Sequence, residues 1–472
     1  MARIRKLPLL VVACYCWLYH AYIITALPDP FFEPDSNGYM DGPLQQILGR
    51  GFNVPISRGL GYPLFLWTGL KFFGTFHALL WIQHFLWMAM AGVTVALFLK
   101  YCPKRYAWAS VLLFIVGCSP MGAILSHSIL ADAPYTAWQM SAIGGLLGLF
   151  GESLSINGTI CGISLAIAIN TRPTGKLLVL SIALVHLIRL GNERYRRMAT
   201  ATAISFALAM SPFLLYNYFR RHFSGVETFG TFYAVGDALK HIAPAEIRDT
   251  RTRELLTPFY THQGENRFLN SNWIWYASDG PIHALKADPE TAARIHTIYW
   301  QLLIQAATRH PLAYLKDLYE VGATTAREGT RNVQTVPDKT ASVIFALRTY
   351  YQSTISYPEA RRFLFFRPDT APAYFETIKR SALPPFDRKP PLFFPIWLLA
   401  QAYAMLSWIG ILSIGWLVWR AWREPVVQIL LLTVVSQIIM IAVGGVFVPR
   451  YGIPLEPLYA LAAFLALQLN SL

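Results

Sequence analysis

The chain has 472 residues, of which 54% are hydrophobic and only 14% charged, with a formal net charge of +14 and a mean hydropathy of +0.38. A soluble protein carries about a quarter charged residues, so this composition excludes an ordinary soluble enzyme. The positive charge sits in short loops beside apolar runs, where it suits a cytoplasmic membrane face and anionic headgroups. No basic-aromatic module accompanies it, so no nucleic acid is expected as a partner.

In chain order, Arg3, Arg5 and Lys6 lead into an apolar run, Leu7 to Leu27. It is long enough to span and lacks a clear A-x-A site, so it reads as a retained signal-anchor helix. Further spans are predicted at 77–100, 106–123, 133–151, 157–170, 175–190, 198–217, 393–419, 426–447 and 453–470, about ten in all. The fold class is thus an all-α polytopic membrane protein, with a membrane module over 1–217, a polar region over 218–390 and C-terminal transmembrane helices over 391–472. The basic stretches KYCPKRY, RLGNERYRR and WRAWRE then share the cytoplasmic side with the N-terminus. Cys14, Cys16, Cys102, Cys118 and Cys161 lie in or beside the spans. They are odd in number, show no metal-type spacing, and read as small buried hydrophobes.

The opposite face receives the loop 28–76, which is acidic at its start, with Asp29, Glu33, Asp35 and Asp41. Asp35 or Ser36 can cap a helix whose apolar stripe is Tyr39, Met40, Leu44, Ile47 and Leu48, ended by Gly49-Arg50-Gly51. Such a short one-faced helix belongs in the membrane surface and would hold the carboxylates at the water–lipid boundary. The following GYPLFLWTGLKFFG is apolar but short, and reads as a segment that dips in and returns. The same face takes the SPMGAILSHSILAD loop, NTRPTGK, the polar region and FVPRYGIP. Within the polar region, 288–322 is amphipathic and predicts two helices broken at His310-Pro311. No internal repeat is present, which argues against a two-halved transporter.

These residues resemble the GT-C glycosyltransferases, nearest the branch of protein O-mannosyltransferases and the lipid A aminoarabinose transferase. The resemblance covers roughly the first 220 residues and the last loop. It rests on Glu33-Pro34-Asp35 with Tyr39, on Arg58 with Gly61-Tyr62-Pro63, on ILADAPY at 129–135, on Arg172-Pro173-Thr174-Gly175, and on Arg450-Tyr451 with Pro454. Ser36 stands where relatives often have a second acid, and Asp132 where Glu is common. The family implies an extracytoplasmic active site in the cell inner (plasma) membrane and a polyprenyl-phosphate sugar donor. The acceptor would be a glycan, lipid or protein bearing a hydroxyl or amine, the transferred sugar a hexose or pentose, and the product inverted. It further implies about seven membrane helices, two interfacial helices in the first outward loop, and an ectodomain. No cofactor is implied with certainty; a divalent cation is compatible with the acidic motif.

The chemistry suits the residues. Transfer to a hydroxyl needs a base, and Asp35 is the candidate. A phosphate leaving group needs positive charge, which Arg58, Arg172, Lys176 and Arg450 can supply. Glu33, Tyr39, Asp132 and Tyr451 complete the candidate substrate-binding set. Several have a plainer reading: Asp35 as a helix cap, Glu33 (with Asp41) as a solvated loop acid, Asp132 as a helix-dipole partner, Arg172 and Lys176 as residues reaching to headgroups. His77, His84 and His127 read first as packing and only second as metal ligands. Tyr62, Trp67, Trp81 and Trp87 read as belt or core aromatics. The Asn157-Gly158-Thr159 sequon falls in a predicted cytoplasmic turn, where glycosylation is not expected. A lipid or polysaccharide transporter (or flippase) and a non-catalytic envelope assembly protein remain the alternatives.

Overall fold

The computed structural model describes residues 2–26, 30, 36–47, 49, 51–54, 58–73, 76–222, 225–226, 235–236, 238–261, 274, 280–328, 405–443 and 454–469. Apart from one short 3-10 turn, Pro244–Glu246, every element in them is an α-helix. The first ten are α1 (Ala2–Ala26), α2 (Ser36–Ile47), α3 (Gly61–Phe73), α4 (Phe76–Tyr101), α5 (Tyr106–Gly117), α6 (Pro120–His127), α7 (Asp132–Leu146), α8 (Leu154–Thr171), α9 (Gly175–Ile188) and α10 (Glu193–Arg221). The polar region contributes α11 (Thr250–Thr261), α12 (Pro281–Ala287), α13 (Pro289–Ala293), α14 (Ile295–Arg309) and α15 (Pro311–Glu328). The chain closes with α16 (Leu406–Ala421), α17 (Pro425–Val443) and α18 (Glu456–Leu469).

Among the described residues, four helices are long and apolar enough to cross a membrane: Lys6–Thr25, His77–Tyr101, Leu154–Thr171 and Glu193–Arg221. The α10 segment has a mean hydropathy of 1.6 yet only 17% of its apolar window is buried. Ile204, Leu208 and Leu215 lie exposed along it. In water such a stripe would drive aggregation; against acyl chains it costs nothing, which makes this a lipid-facing helix. By contrast 61% of the α8 window is buried, and α8 packs between α7 and α10. Small residues let it: a Cβ on Gly158 would lie 2.6 Å from the Met198 carbonyl oxygen.

The predicted span 106–123 is instead two helices, α5 and α6, bent by 49°. Pro120 opens α6 and offers no N–H, and Ser119 caps that helix by accepting from the Gly122 N–H at 2.9 Å. The carbonyls freed at the end of α5 are met by neighbours. Trp87 Nε1 donates to Val116 O at 3.0 Å, and His20 Nε2 donates to Gly117 O at 2.8 Å. Side chains from α1 and α4 thus satisfy a backbone break that lipid could not. Helices α9, α16 and the apolar part of α17, Pro425–Ile439, are shorter than a full span. The run predicted at 133–151 ends as helix at Leu146, and the one at 157–170 fills out to α8.

One apolar core joins α1–α10 with α16–α18: Cys16, Trp87, Tyr135, Leu178, Met198, Leu430 and Tyr459 all belong to it. A second core, from Val235 to Tyr314, forms within the described part of the polar region. The helix break predicted at His310-Pro311 is present: α14 stops at Arg309, and Pro311 starts α15 at the position where its missing N–H is harmless. Helix α15 continues against α16 and α17. The predicted basic loops gather at one end of the bundle. There Lys100 donates to Gly148 O at 2.5 Å, and Arg189 bonds to Gln428 and to the Arg423 carbonyl. Arg58, Asp132 and Arg172 lie at the opposite ends of the same helices.

Candidate active site between the first loop and the starts of α7 and α9

The loop 28–76 folds into two helices, α2 and α3, packed on each other. Helix α2 begins at Ser36, whose hydroxyl donates to Ile129 O at 2.9 Å and so pins the helix start beside the ILADAPY turn. Gly38 lets the Arg58 side chain lie close, because a Cβ there would sit 2.9 Å from Arg58 Nε. The Arg58 guanidinium lies 4.7 Å from the centre of the Tyr39 ring and donates to the Tyr39 hydroxyl at 3.5 Å. This is a cation held on an aromatic face, charged but only half-buried. Tyr39 meets Tyr62 edge-on at 5.0 Å. The Tyr62 hydroxyl donates to Gln83 Oε1 at 2.7 Å, and Gln83 Nε2 donates to the carbonyls of Ser126 and Ser128, each at 3.0 Å.

The segment carrying Arg58 is fixed from behind as well. Gly59 and Gly61 rest directly on the backbone of Asn170 and Thr171, and Arg221 Nη2, at the end of α10, donates to Arg58 O at 3.0 Å. Two residues beyond Asn170 comes Arg172, in extended conformation at the end of α8. It forms an ion pair with Asp132, the first residue of α7, and both side chains are buried, 8% and 4% exposed. Asp132 therefore serves the helix dipole and Arg172 together. The Arg172 guanidinium lies 5.9 Å from the centre of the Tyr135 ring. The Tyr135 hydroxyl accepts from Gln437 Nε2 at 3.4 Å, Gln437 bonds to Gln139, and Gln139 Nε2 donates to Pro454 O at 2.8 Å. That last bond ties the loop before α18 to the middle of α7.

Of the sequence-predicted site residues, the structure brings Tyr39, Arg58, Asp132 and Arg172 to one end of the bundle. Lys176 is half-buried in the first turn of α9, four residues beyond Arg172. Glu33, Asp35, Arg450 and Tyr451 lie outside the described residues, as does the side chain of Asp41. Sequence reading missed Gln83, Gln139, Arg221 and Gln437, which hold the set in place. For the three glutamines the available signal was a polar side chain inside an apolar run, where each must find a partner. Tyr62 and Trp87, read as belt or core aromatics, are both fully buried, with the Tyr62 hydroxyl and the Trp87 indole N–H each donating a hydrogen bond. Asn157, in the sequon, is buried and bonded to the carbonyls of Gly151 and Ser153 at 2.8 Å each.

His84 and His127 join His20 in a buried row. His20 Nδ1 lies 2.6 Å from His84 Nδ1, and His84 Nε2 lies 3.2 Å from His127 Nδ1. His84 meets its neighbours through opposite ring nitrogens, so the three rings do not converge on one point, and no group of three or more His, Cys, Asp or Glu among the described residues could hold a metal ion. His77 stands apart near the surface and accepts from the Trp81 indole at 3.1 Å.

No family model matches the chain, and no curated protein matches it. Among solved structures, archaeal oligosaccharyltransferase AglB from Archaeoglobus fulgidus, in complex with an inhibitory peptide and a dolichol-phosphate, is similar at a TM-score of 0.44 and 13% identity. The match covers 98% of this chain and 50% of that one, so the chain spans about half the length of that protein.

Proposed function

We propose that the chain is a membrane glycosyltransferase of the GT-C type, moving a sugar from a polyprenyl-phosphate donor to an acceptor hydroxyl at the Arg58 end of the bundle. The observation that carries the reading is the joint placement of Arg58 on Tyr39 and of the buried Asp132–Arg172 pair, from four separate stretches of sequence, around the start of α2. In this reading the acceptor oxygen attacks the anomeric carbon and its proton passes to the Asp35 carboxylate. The bond from that carbon to the phosphate oxygen breaks, and the polyprenyl phosphate leaves with its charge met by Arg58. Arg172 pairs with Asp132 and shapes the site, while Arg58, half-buried and laid on the Tyr39 ring beside the start of α2, is the phosphate contact.

The buried histidines favour a second reading, a transporter, because ionisable groups inside a bundle mark ion paths. Their row ends on a backbone carbonyl, however, which offers a proton no exit. The deciding experiment is mass spectrometry of envelope glycans and lipids from cells lacking the gene, complemented with wild type or Asp35→Asn. One sugar should vanish on deletion, return with wild type and stay absent with the variant. An unchanged glycan and lipid profile on deletion rejects the enzyme reading, and full rescue by Asp35→Asn removes Asp35 from the mechanism.

A further inference from the structure

The end of the bundle away from Arg58 contains a cavity of about 570 Å³ between the end of α4, the α7–α8 turn and the start of α10. Lys100 and Arg194 line it, with Leu149 and Leu154 as an apolar wall and Glu152 at its edge. The turn is shaped by Gly148, whose φ of +70° is the left-handed conformation that glycine adopts without penalty. The missing side chain at Gly148 also makes room: a Cβ there would lie 2.9 Å from Arg194 Nη2 and 3.4 Å from Lys100 Nζ. Two cationic tips therefore converge over one backbone point. Among the described residues neither is within ion-pair distance of a carboxylate, and Glu193, beside Arg194, is taken by Arg197. Like charges brought this close repel unless an anion lies between them.

We propose that this cavity binds the phosphate of an anionic phospholipid headgroup. Lys100 acts as a point charge and Arg194 as a fork for the phosphate oxygens. The acyl chains run down α8, where Ile156 and Ile163, seven residues apart on one face, are exposed. A basic pocket between helix ends, beside an apolar helix face, has the layout of a lipid site rather than of a general charged surface. The site is independent of the sugar-transfer reading and lies at the other end of the same helices.

The test uses the purified full-length protein in neutral detergent, with binding of phosphatidylglycerol and phosphatidylcholine measured by native mass spectrometry. Phosphatidylglycerol should be retained in preference to phosphatidylcholine. Lys100→Gln and Arg194→Gln should each weaken retention about fivefold, whereas Arg196→Gln, a charge loss on the same helix outside the cavity, should not. Glu152→Gln, which removes the acid from the cavity edge, should strengthen retention and covers the case in which a cation variant fails to fold. Equal weakening by Arg196→Gln, or no response to Glu152→Gln, overturns the proposal. Inorganic phosphate is the second probe. Competition by millimolar phosphate with no retention of phosphatidylglycerol would assign the cations to a soluble phosphate and overturn the lipid.

Discussion

Among the described residues, the two ends of the helical bundle treat their charged side chains in opposite ways. At the Arg58 end, charge is enclosed: Arg172 and Asp132 are buried against each other, and Arg58 is laid over an aromatic ring. At the Lys100 end, charge is exposed. Glu193 and Arg197 form an ion pair that is 61% and 69% exposed, and Lys100 and Arg194 share a cavity with Glu152 at its edge but, among the described residues, no carboxylate within ion-pair distance. The difference teaches that position along a membrane helix does not settle what a basic residue does; burial and the nearest carboxylate do. An enclosed pair shapes a site and is costly to break, while an exposed cation is cheap to remove and available to a ligand.

The comparison can be broken most directly at Asp132. Asp132→Ala removes the buried carboxylate that pairs with Arg172 and should cost about 3–5 kcal/mol, read as a large fall in the thermal unfolding midpoint of the detergent-solubilised protein. The double variant Asp132→Asn with Arg172→Gln should recover most of that loss; no recovery would mean that the two residues act separately. Arg197→Ala at the other end should move the midpoint very little. Next in size, Arg58→Ala should lower sugar transfer about 100-fold with the fold intact, and Arg58→Lys should restore only part, because the ammonium keeps the charge but loses the fork. Gly59→Ala should cost about 1–3 kcal/mol by forcing the Arg58 segment off the end of α8. The smallest effect belongs to the polar region. There the Arg251 guanidinium, with the Thr291 backbone N–H, holds the Asp288 carboxyl at about 2, well below the usual carboxylate range. Because the folded value is depressed, this contribution is complete above about pH 4 and is lost as the pH falls through 2. Hydrogen exchange over 281–293 should show faster opening only at the acid end of that window, and Asp288→Asn should remove the dependence.

Most of the framework was legible because apolar length is a strong signal. The spans of α1, α4, α8 and α10, the His310-Pro311 break and the common end of the basic loops all follow from hydropathy, proline chemistry and the positive-inside rule. The bend between α5 and α6 was not legible. Pro120 marks a possible break, but whether a helix continues depends on which side chains meet the freed carbonyls, and those come from α1 and α4. In the site, the types and shared side of Arg58, Asp132 and Arg172 could be read from motifs, but the pairing of the last two could not. They are 40 residues apart in sequence and meet only because α7 and α8 pack tightly. Gln83, Gln139 and Gln437 were passed over for a related reason: a lone glutamine in an apolar run announces a hydrogen bond without saying to what.

The three histidines have a direction. A carbonyl can only accept, so His20 must carry its hydrogen on Nε2. With neutral rings, each Nδ1 hydrogen of His84 and then His127 must point back toward His20, leaving the lone pair of His127 on Nε2. One added proton would reverse every bond in the row, yet it could travel no further than the bend of α5 and α6. The row can therefore pass a hydrogen-bond orientation inward from α6, and at its inner end that orientation is fixed by the Gly117 carbonyl.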